Sequence, residues 1–286
     1  MKEIQIIAPA KINLTLDITG KRPDGYHSLI TVMHQISLAD TVVLARQEQG
    51  ITLSSGHADL ANDSSNLAWR AAQWMLEHYV PHEGVSIQIT KRIPIGAGLA
   101  GGSTDAAAVI RGMNTLFQLH LPLAELCDCG SQLGADVPFC IAGGTALCTG
   151  KGEVMRPLVS GPHLHAAVVK PDFSLSTAAI YQEFDRLLPT QHPDHAAFLA
   201  AWKSQNLSVL PGTLGNILEP VSLSLHPEIG QVIRRLRKLG AYAAQMTGSG
   251  PAVFGLFSDV KVAQTAVQVL KQDYKDCFAA ESYASS

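Results

Sequence analysis

From Pro94 to Val109 the chain reads Pro-Ile-Gly-Ala-Gly-Leu-Ala-Gly-Gly-Ser-Thr-Asp-Ala-Ala-Ala-Val. Gly96, Gly98, Gly101 and Gly102 sit within a few residues and give way at once to an alanine-rich run. Glycine allows positive φ and lets a ligand approach the backbone amides with no Cβ in between. The alanines predict a helix, with Ser103 as its N-cap and Asp105 in the first turn, where negative charge suits the helix dipole. Free N–H groups at such a loop and helix start form an anion site, and phosphate is its usual guest. The combination favours a phosphate cradle over a turn needed only for close packing.

The residues around and after the loop exclude several kinds of cradle. Gly96, Gly98 and Gly101 fit the dinucleotide pattern GxGxxG, which alone is a weak signal. A Rossmann unit needs a further strand after the helix, ending in an acid. Here the helix runs into His120-Leu-Pro-Leu and then a second helical stretch. A Walker loop fails because Gly101 is followed by Gly102 and Ser103, not by lysine and a hydroxyl residue. The hairpin loop of protein kinases, with its lysine on a downstream strand, has no counterpart after Gly102. What remains is a glycine loop that feeds a helix directly and carries no lysine of its own.

Composition narrows the class. The 286 residues suffice for one large or two ordinary domains. Hydrophobic residues make up 47% and charged residues 16%, which describes a globular chain rather than a disordered one. A net charge of -3 gives no reason to expect nucleic-acid or membrane attraction. Five scattered cysteines argue against a disulfide framework and for a reducing cytoplasm, with Cys127 and Cys129 as buried thiols. Pro9, Lys11 and Asn13 interrupt any signal-peptide run, and no stretch is long and apolar enough to span a bilayer.

Along the chain, Ile12, Leu14, Leu16 and Ile18 alternate with Asn13, Thr15, Asp17 and Thr19, which predicts a half-buried strand with Lys11 and Asn13 on its polar side. Pro23-Asp-Gly marks a turn that presents Tyr26 and His27. Residues 28–36 and 40–45 read as strands, 66–79 as a helix, and 85–90 as a strand. After the loop helix come a helix at 123–133, Asp136 in a turn between Gly134 and Pro138, and a strand at 141–149. The second half shows a strand at 165–169, a helix at 176–188, and a polar connection at 189–195. A helix at 227–239 is stopped by Gly240, and Met246-Thr-Gly-Ser-Gly-Pro251 leads into a strand at 252–257. Asp259 caps a last helix. Pro157, Gly161 and Pro162 punctuate a boundary near 156–161. Alternating strands and helices in both halves predict an α+β or α/β architecture. His34, His163, His165, His192 and His195 show no metal spacing and are expected on the surface.

An anion cradle, a strand lysine and an aspartate in an apolar turn suit phosphoryl transfer, which needs positioning and charge stabilisation more than covalent chemistry. A carboxylate can take the proton of an acceptor hydroxyl, and an ammonium can steady the developing charge. From spacing alone, Lys11 is more often the residue of a solvated strand end and Asp136 more often that of a turn.

The order of motifs carries a resemblance. Pro9-Ala-Lys-Ile-Asn-Leu14, Pro94 to Thr104 and Met246-Thr-Gly-Ser-Gly250 resemble the three signature regions of the GHMP superfamily of small-molecule kinases. Gly20-Lys-Arg-Pro-Asp-Gly-Tyr-His-Ser-Leu29 and Gly134-Ala-Asp-Val-Pro-Phe139 are similar to the branch that phosphorylates the 2-hydroxyl of cytidine diphosphate methylerythritol in the non-mevalonate route to isoprenoid precursors. The resemblance implies an α+β, two-domain GHMP kinase fold, with domains 1–157 and 158–286 and the site in the cleft between them. It implies ATP as co-substrate, with Asn66, Leu67 and Lys91 near the adenine. Its phosphates would lie along Pro94, Ile95, Gly96, Ala97, Gly98, Leu99, Ala100, Gly101, Gly102, Ser103 and Thr104. Asp136 would be the base and Lys11 its electrostatic partner. Tyr26, His27 and Tyr181 would hold the cytidine, with polar contacts from Asn13 and Thr177. Mg²⁺ would accompany the phosphates, keeping most of its waters. A cytoplasmic monomer or weak homodimer is expected.

The departures from the family pattern are few. Thr104 and Thr247 stand where serine is usual, Cys140 where a second phenylalanine is common, and Ile217 where an aspartate is usual. Asp105 reads as a cap or as a carboxylate meeting Mg²⁺ through water. Gly248 and Gly250 either touch phosphate or simply permit the turn. A GHMP kinase for another alcohol would lack the Tyr26/Tyr181 pair, and a non-catalytic regulator on the same fold would have lost Lys11 or Asp136.

Overall fold

The structure is a computed structural model that describes residues 2–158 and 161–283. The expected boundary at 156–161 includes 159 and 160, which lie outside the described residues. In chain order the first elements are β1 (Glu3–Lys21), β2 (His27–Gln47), β3 (Gly50–Ser54), α1 (Leu67–Tyr79), β4 (Gly84–Thr90), α2 (Gly101–Leu116), α3 (Leu123–Ser131), α4 (Val137–Ala142), β5 (Thr145–Gly150) and β6 (Val154–Pro157). They continue with β7 (His165–Lys170), α5 (Thr177–Leu187), α6 (His195–Lys203), a 3-10 turn (Leu210–Thr213), β8 (Gly215–Asn216), α7 (Glu219–Leu225), α8 (Glu228–Lys238), β9 (Ala243–Met246), β10 (Val253–Phe257), α9 (Val260–Leu270) and β11 (Asp276–Glu281). This is the mixed α and β content that the sequence predicts.

Two compact units divide the chain. One holds the chain up to Ala10, Ala39–Ile95 and Ala100–Gly143; the other holds Lys11–Leu38, Gly96–Leu99 and the chain from Gly144 on. β1, β2 and the glycine loop each contribute to both. The units therefore interleave along the chain, whereas the expected domains, 1–157 and 158–286, are consecutive.

In the first unit, β4 pairs antiparallel with the second part of β2, from Thr41↔Thr90 to Gln47↔Gly84, and parallel with β3. α1 and α2 pack on each other, as do α3 and α4. Asn66 caps α1, its Oδ1 accepting from Ala68 N at 2.9 Å. α2 is buried over most of its length, because Ala106, Ala107 and Ala108 are good helix formers and small enough for close approach. Gly112 takes this furthest: a Cβ there would stand 2.4 Å from Leu44 Cδ1. The Arg46 guanidinium donates to Leu116 O at the other end of α2. Residues 141 and 142, predicted as strand, belong to α4. Pro138 in the first turn starts this helix, Gly143 at φ 76° ends it, and β5 begins only at Thr145.

In the second unit, an antiparallel sheet of order β11-β7-β10-β9 carries α8 and α9. Ala167, Val169, Val232, Leu236, Val253, Phe257, Val267 and Leu270 form its core with Leu16 and Ile18 of β1. Helix α6, unassigned by the sequence beyond its first residue, is capped by Asp194 and buries Phe198, Ala201 and Trp202. The two strands expected at 28–36 and 40–45 are one continuous strand, β2.

β1 also departs from expectation, since Lys11, Asn13, Thr15 and Asp17 are all buried. The polar side faces protein rather than water, and it is tolerated because its groups find hydrogen bonds. Asn13 Nδ2 donates to Thr31 Oγ1 at 2.8 Å, and Thr31 Oγ1 donates to Thr15 O at 2.6 Å. Asp17 accepts from His192 at 2.8 Å, and His195 lies 3.1 Å from Thr15 Oγ1.

His34 corrects the surface expectation. It is buried between Thr145 Oγ1 at 2.7 Å and Ser282 Oγ at 2.9 Å. Burial, helped by the nearby His163 charge, pushes its pKa down to about 4. Above about pH 6.5 both folded and unfolded chains hold it neutral. Between about 6.5 and 4 the unfolded chain takes up a proton that the folded chain refuses, so stability falls on acidification. His34→Gln should remove this part of the pH dependence. Its unfolding free energy relative to the parent is expected to rise between pH 7 and 4, and identical slopes would contradict the assignment.

Candidate active site

The second unit brings residues of the three signature regions into hydrogen-bonding contact. Lys11 N donates to Leu99 O at 3.1 Å, and Ala252 N to Ala97 O at 3.1 Å. Asn13 N donates to Thr247 Oγ1 at 2.9 Å, while Gln245 Nε2 reaches Asn13 O and Leu14 O. A Cβ on Gly98 would lie 2.5 Å from Thr247 O, and the residue adopts φ 78°. Only glycine meets both conditions. The Lys11 ammonium donates to Asn13 Oδ1 at 2.8 Å, which directs the lysine along its own strand. Asn216 Nδ2 bridges Met246 O and Gly248 O, holding the third glycine loop from behind. Gly248 and Gly250 take φ 58° and 82°, the left-handed backbone that this turn requires.

The first unit holds the helix end of the glycine loop. The expected cap Ser103 lies inside α2, and the N-cap is Ala100 at φ 60°, with no capping side chain. Helix geometry leaves the N–H groups of Gly101, Gly102 and Ser103 without intrahelical acceptors. The left-handed residue before the helix turns the chain so sharply that the helix begins at Gly101, two residues before the serine. Thr104 is held inward, its hydroxyl donating to Pro9 O at 2.8 Å.

Asp105 is likewise no first-turn cap. It is a buried residue of α2 that pairs with Lys91 at 2.8 Å. Lys91 also meets Asp40 at 2.5 Å, and Asp40 Oδ1 accepts from Arg92 N and Ile93 N. Burial pulls the lysine's pKa down, but the two carboxylates outweigh this and hold it above its usual value. Burial pushes the Asp105 carboxyl up to about 7, against Lys91 and with the aid of Asp40. Asp105 Oδ1 is buried without a hydrogen-bond partner. A Cβ on Gly101 would lie 3.3 Å from Lys91 Nζ, and one on Gly102 3.7 Å from Leu67 Cδ1. Leu67 and Lys91 thus flank the helix start. Neighbouring Asn66 spends its amide on Ala68 N and on Ala61 O. Asp40, which sequence reasoning missed, lies 51 residues from its lysine, and no local spacing announces it.

Asp136 stands at the N-cap of α4, half-buried, yet its carboxylate makes no capping hydrogen bond.

The aromatic candidates meet in the second unit. His27 and Tyr181 ring centroids are 5.0 Å apart. Tyr26 is 61% exposed, and Lys151 Nζ lies over one face at 4.0 Å from the ring centre. His27 Nε2 is 2.7 Å from Asp185 Oδ1, and Lys21 pairs with the other carboxylate oxygen. These hydrogen bonds hold Asp185 below the usual carboxylate range. Thr177 Oγ1 lies 2.9 Å from Ser249 Oγ, joining the start of α5 to the third loop. Asp185 was also missed, being one acid among several on a helix.

Comparison with known proteins decides the family. Residues 66–144 match the GHMP kinases N terminal domain and 196–276 the GHMP kinases C terminal domain, on either side of residue 157. A 4-diphosphocytidyl-2-C-methyl-D-erythritol kinase of Syntrophomonas wolfei is 44% identical over 282 residues, 99% of each chain. The chain belongs to the GHMP kinase family. One of Bacillus licheniformis is 47% identical, covering 87% of this chain and 86% of its own. A crystal structure of 4-(cytidine 5'-diphospho)-2C-methyl-D-erythritol kinase superposes with a TM-score of 0.84 at 33% identity, covering 98% of this chain and all of that one. As a GHMP kinase the chain uses ATP to phosphorylate a small molecule. The arrangement suits this chemistry: uncapped amides at a helix start attract anionic oxygens, and the lysine is prepositioned by a neighbouring amide.

Proposed function

We propose that this GHMP kinase transfers the γ-phosphoryl group of ATP to the 2-hydroxyl of 4-diphosphocytidyl-2-C-methyl-D-erythritol, giving the 2-phosphate and ADP. The observation that carries the proposal is the convergence of His27 and Tyr181 beside exposed Tyr26, in the unit where the three signature regions meet. An alcohol kinase without a nucleobase to hold has no use for that aromatic group. Asp136 accepts the hydroxyl proton and Lys11 stabilises the developing oxyanion. Pro94 to Thr104 receive the phosphates, with Asn66, Leu67 and Lys91 on the adenine side. Lys91 contributes by bracing the helix start, because its ammonium is already shared by two carboxylates.

With Nε2 facing Asp185, His27 keeps its other ring nitrogen, Nδ1, for a polar contact with the cytosine. Asn13 and Thr177 supply polar contacts. Lys151 covers one face of Tyr26, so the base stacks on the other.

Mg²⁺ fits as a companion of the ATP phosphates. The unpaired Oδ1 of Asp105, in the second turn of α2, is the protein oxygen offered to a water of its hydration shell. When bound, the ion would supply positive charge to the phosphates during transfer. The domains 1–157 and 158–286, a monomeric or weakly dimeric state and a cytoplasmic location complete the proposal. It agrees with five free cysteines and with the lack, among the described residues, of any helix long and apolar enough to cross a membrane.

A coupled ADP-release assay comparing the cytidine substrate with homoserine and mevalonate tests the reading. Turnover on the cytidine substrate alone supports it, and turnover on another alcohol refutes the assigned pocket. Tyr26→Ala should raise KM for the cytidine substrate about three- to tenfold and leave KM for ATP unchanged. Equal rises for both substrates would remove Tyr26 from the base site.

A further inference from the structure

We propose that His163, His165 and Glu281 form a zinc-binding site on the sheet of the second unit. His163 and His165 flank buried Leu164, so the alternation of an extended chain puts both imidazoles on one face. Glu281, the last residue of β11, pairs directly with His165, the first of β7, and so presents its carboxylate to the same face. His163 Nε2 lies 3.2 Å and His165 Nδ1 3.7 Å from Glu281 Oε2. The three donor atoms all fall within 4.8 Å of one another. Zinc–ligand bonds of about 2.0–2.2 Å at tetrahedral angles require donors roughly 3.3 Å apart. Small χ rotations therefore suffice.

His165 Nδ1 is buried and has no hydrogen-bond partner, an unmet need that a metal bond fills. The backbone around the donors is already fixed. Ser282 N donates to Leu164 O, Leu164 N to Ser282 Oγ, and Glu281 N to Ser37 Oγ. Asp259, held below the usual carboxylate range chiefly by hydrogen bonds from the amides of Val262 and Lys261 and least by His165, adds a negative charge nearby. Two imidazoles and one carboxylate are a donor set suited to zinc, with water in the fourth position. The sequence shows only the His-x-His pair, because the third donor is 118 residues from His163. The bound ion clips the end of β11 to the start of β7 and so stabilises the folded chain by mass action. None of the three residues belongs to the proposed kinase site, and the inference stands whether or not that reading does.

The test titrates chelator-treated, full-length protein with Zn²⁺ alone, read by competition with a chromophoric chelator and by thermal unfolding. One equivalent should bind and raise the unfolding midpoint. His163→Ala, His165→Ala and Glu281→Gln should each weaken binding at least about tenfold, since loss of even an outer-shell partner costs 10–100-fold. His82→Ala, at an exposed loop histidine, should leave binding unchanged. The imidazole C2–H resonances lost in His163→Ala and His165→Ala should be those that zinc shifts in the parent protein, a readout independent of variant stability. No zinc uptake, or uptake unaltered in all three variants, or shifts confined to other histidines, would overturn the proposal.

Discussion

Asp136→Asn is expected to lower turnover by about a hundred- to ten-thousandfold, the usual contribution of a positioned general base. Asparagine keeps the shape of the side chain but cannot accept the hydroxyl proton. Asp136 does not cap α4 through its side chain, so the substitution leaves the start of that helix intact, and ATP should bind as in the parent. The check is kcat with saturating substrates beside an ATP titration and a thermal unfolding curve. A variant that keeps a tenth or more of its turnover would show that the proton leaves by another route. Loss of ATP binding or of the fold would show that Asp136 is structural.

The largest effect on stability is expected at Asp40, which holds Lys91 at the start of α2. Asp40→Ala removes the acceptor of Arg92 N and Ile93 N and one of the two carboxylates that hold Lys91. Breaking one partner of a buried ion pair costs about 3–5 kcal/mol, because the charge left behind stays out of water. Lys91 would retain Asp105, which places the expected loss toward the lower end of that range. Asp40→Asn keeps an acceptor for the two amides and should fall between the parent and alanine. Denaturant midpoints for the three proteins test this order. The segment 91–93 leads into the glycine loop, so KM for ATP should rise in Asp40→Ala before global unfolding is reached. A parental midpoint in Asp40→Ala would mean that Asp105 alone suffices to hold Lys91.

Much of this was legible in local sequence. Asp259 caps α9 through hydrogen bonds to amides two and three residues on, a pattern with short reach. Gly98 announces itself because a positive φ and a close backbone neighbour permit nothing else. What the sequence hid depends on partners far apart in the chain. The alternation of β1 separates its two faces correctly but cannot say that Thr31, Gln245 and Thr247 will cover the polar one. Ser103 looks like a cap because serine usually is one; the left-handed turn at Ala100, which starts the helix earlier, has no residue-type signal. Asp40, Asp185 and Glu281 are ordinary acids until the fold supplies Lys91, His27 and His165.

The most direct measurement is of the product itself. The protein should be incubated with Mg²⁺-ATP and 4-diphosphocytidyl-2-C-methyl-D-erythritol, and the mixture followed by phosphorus and carbon NMR. The account predicts one new phosphomonoester per ADP formed, coupled to C2 of the methylerythritol moiety, with the diphosphate intact. ADP formed without a phosphorylated product, or a phosphate on another hydroxyl, would contradict it.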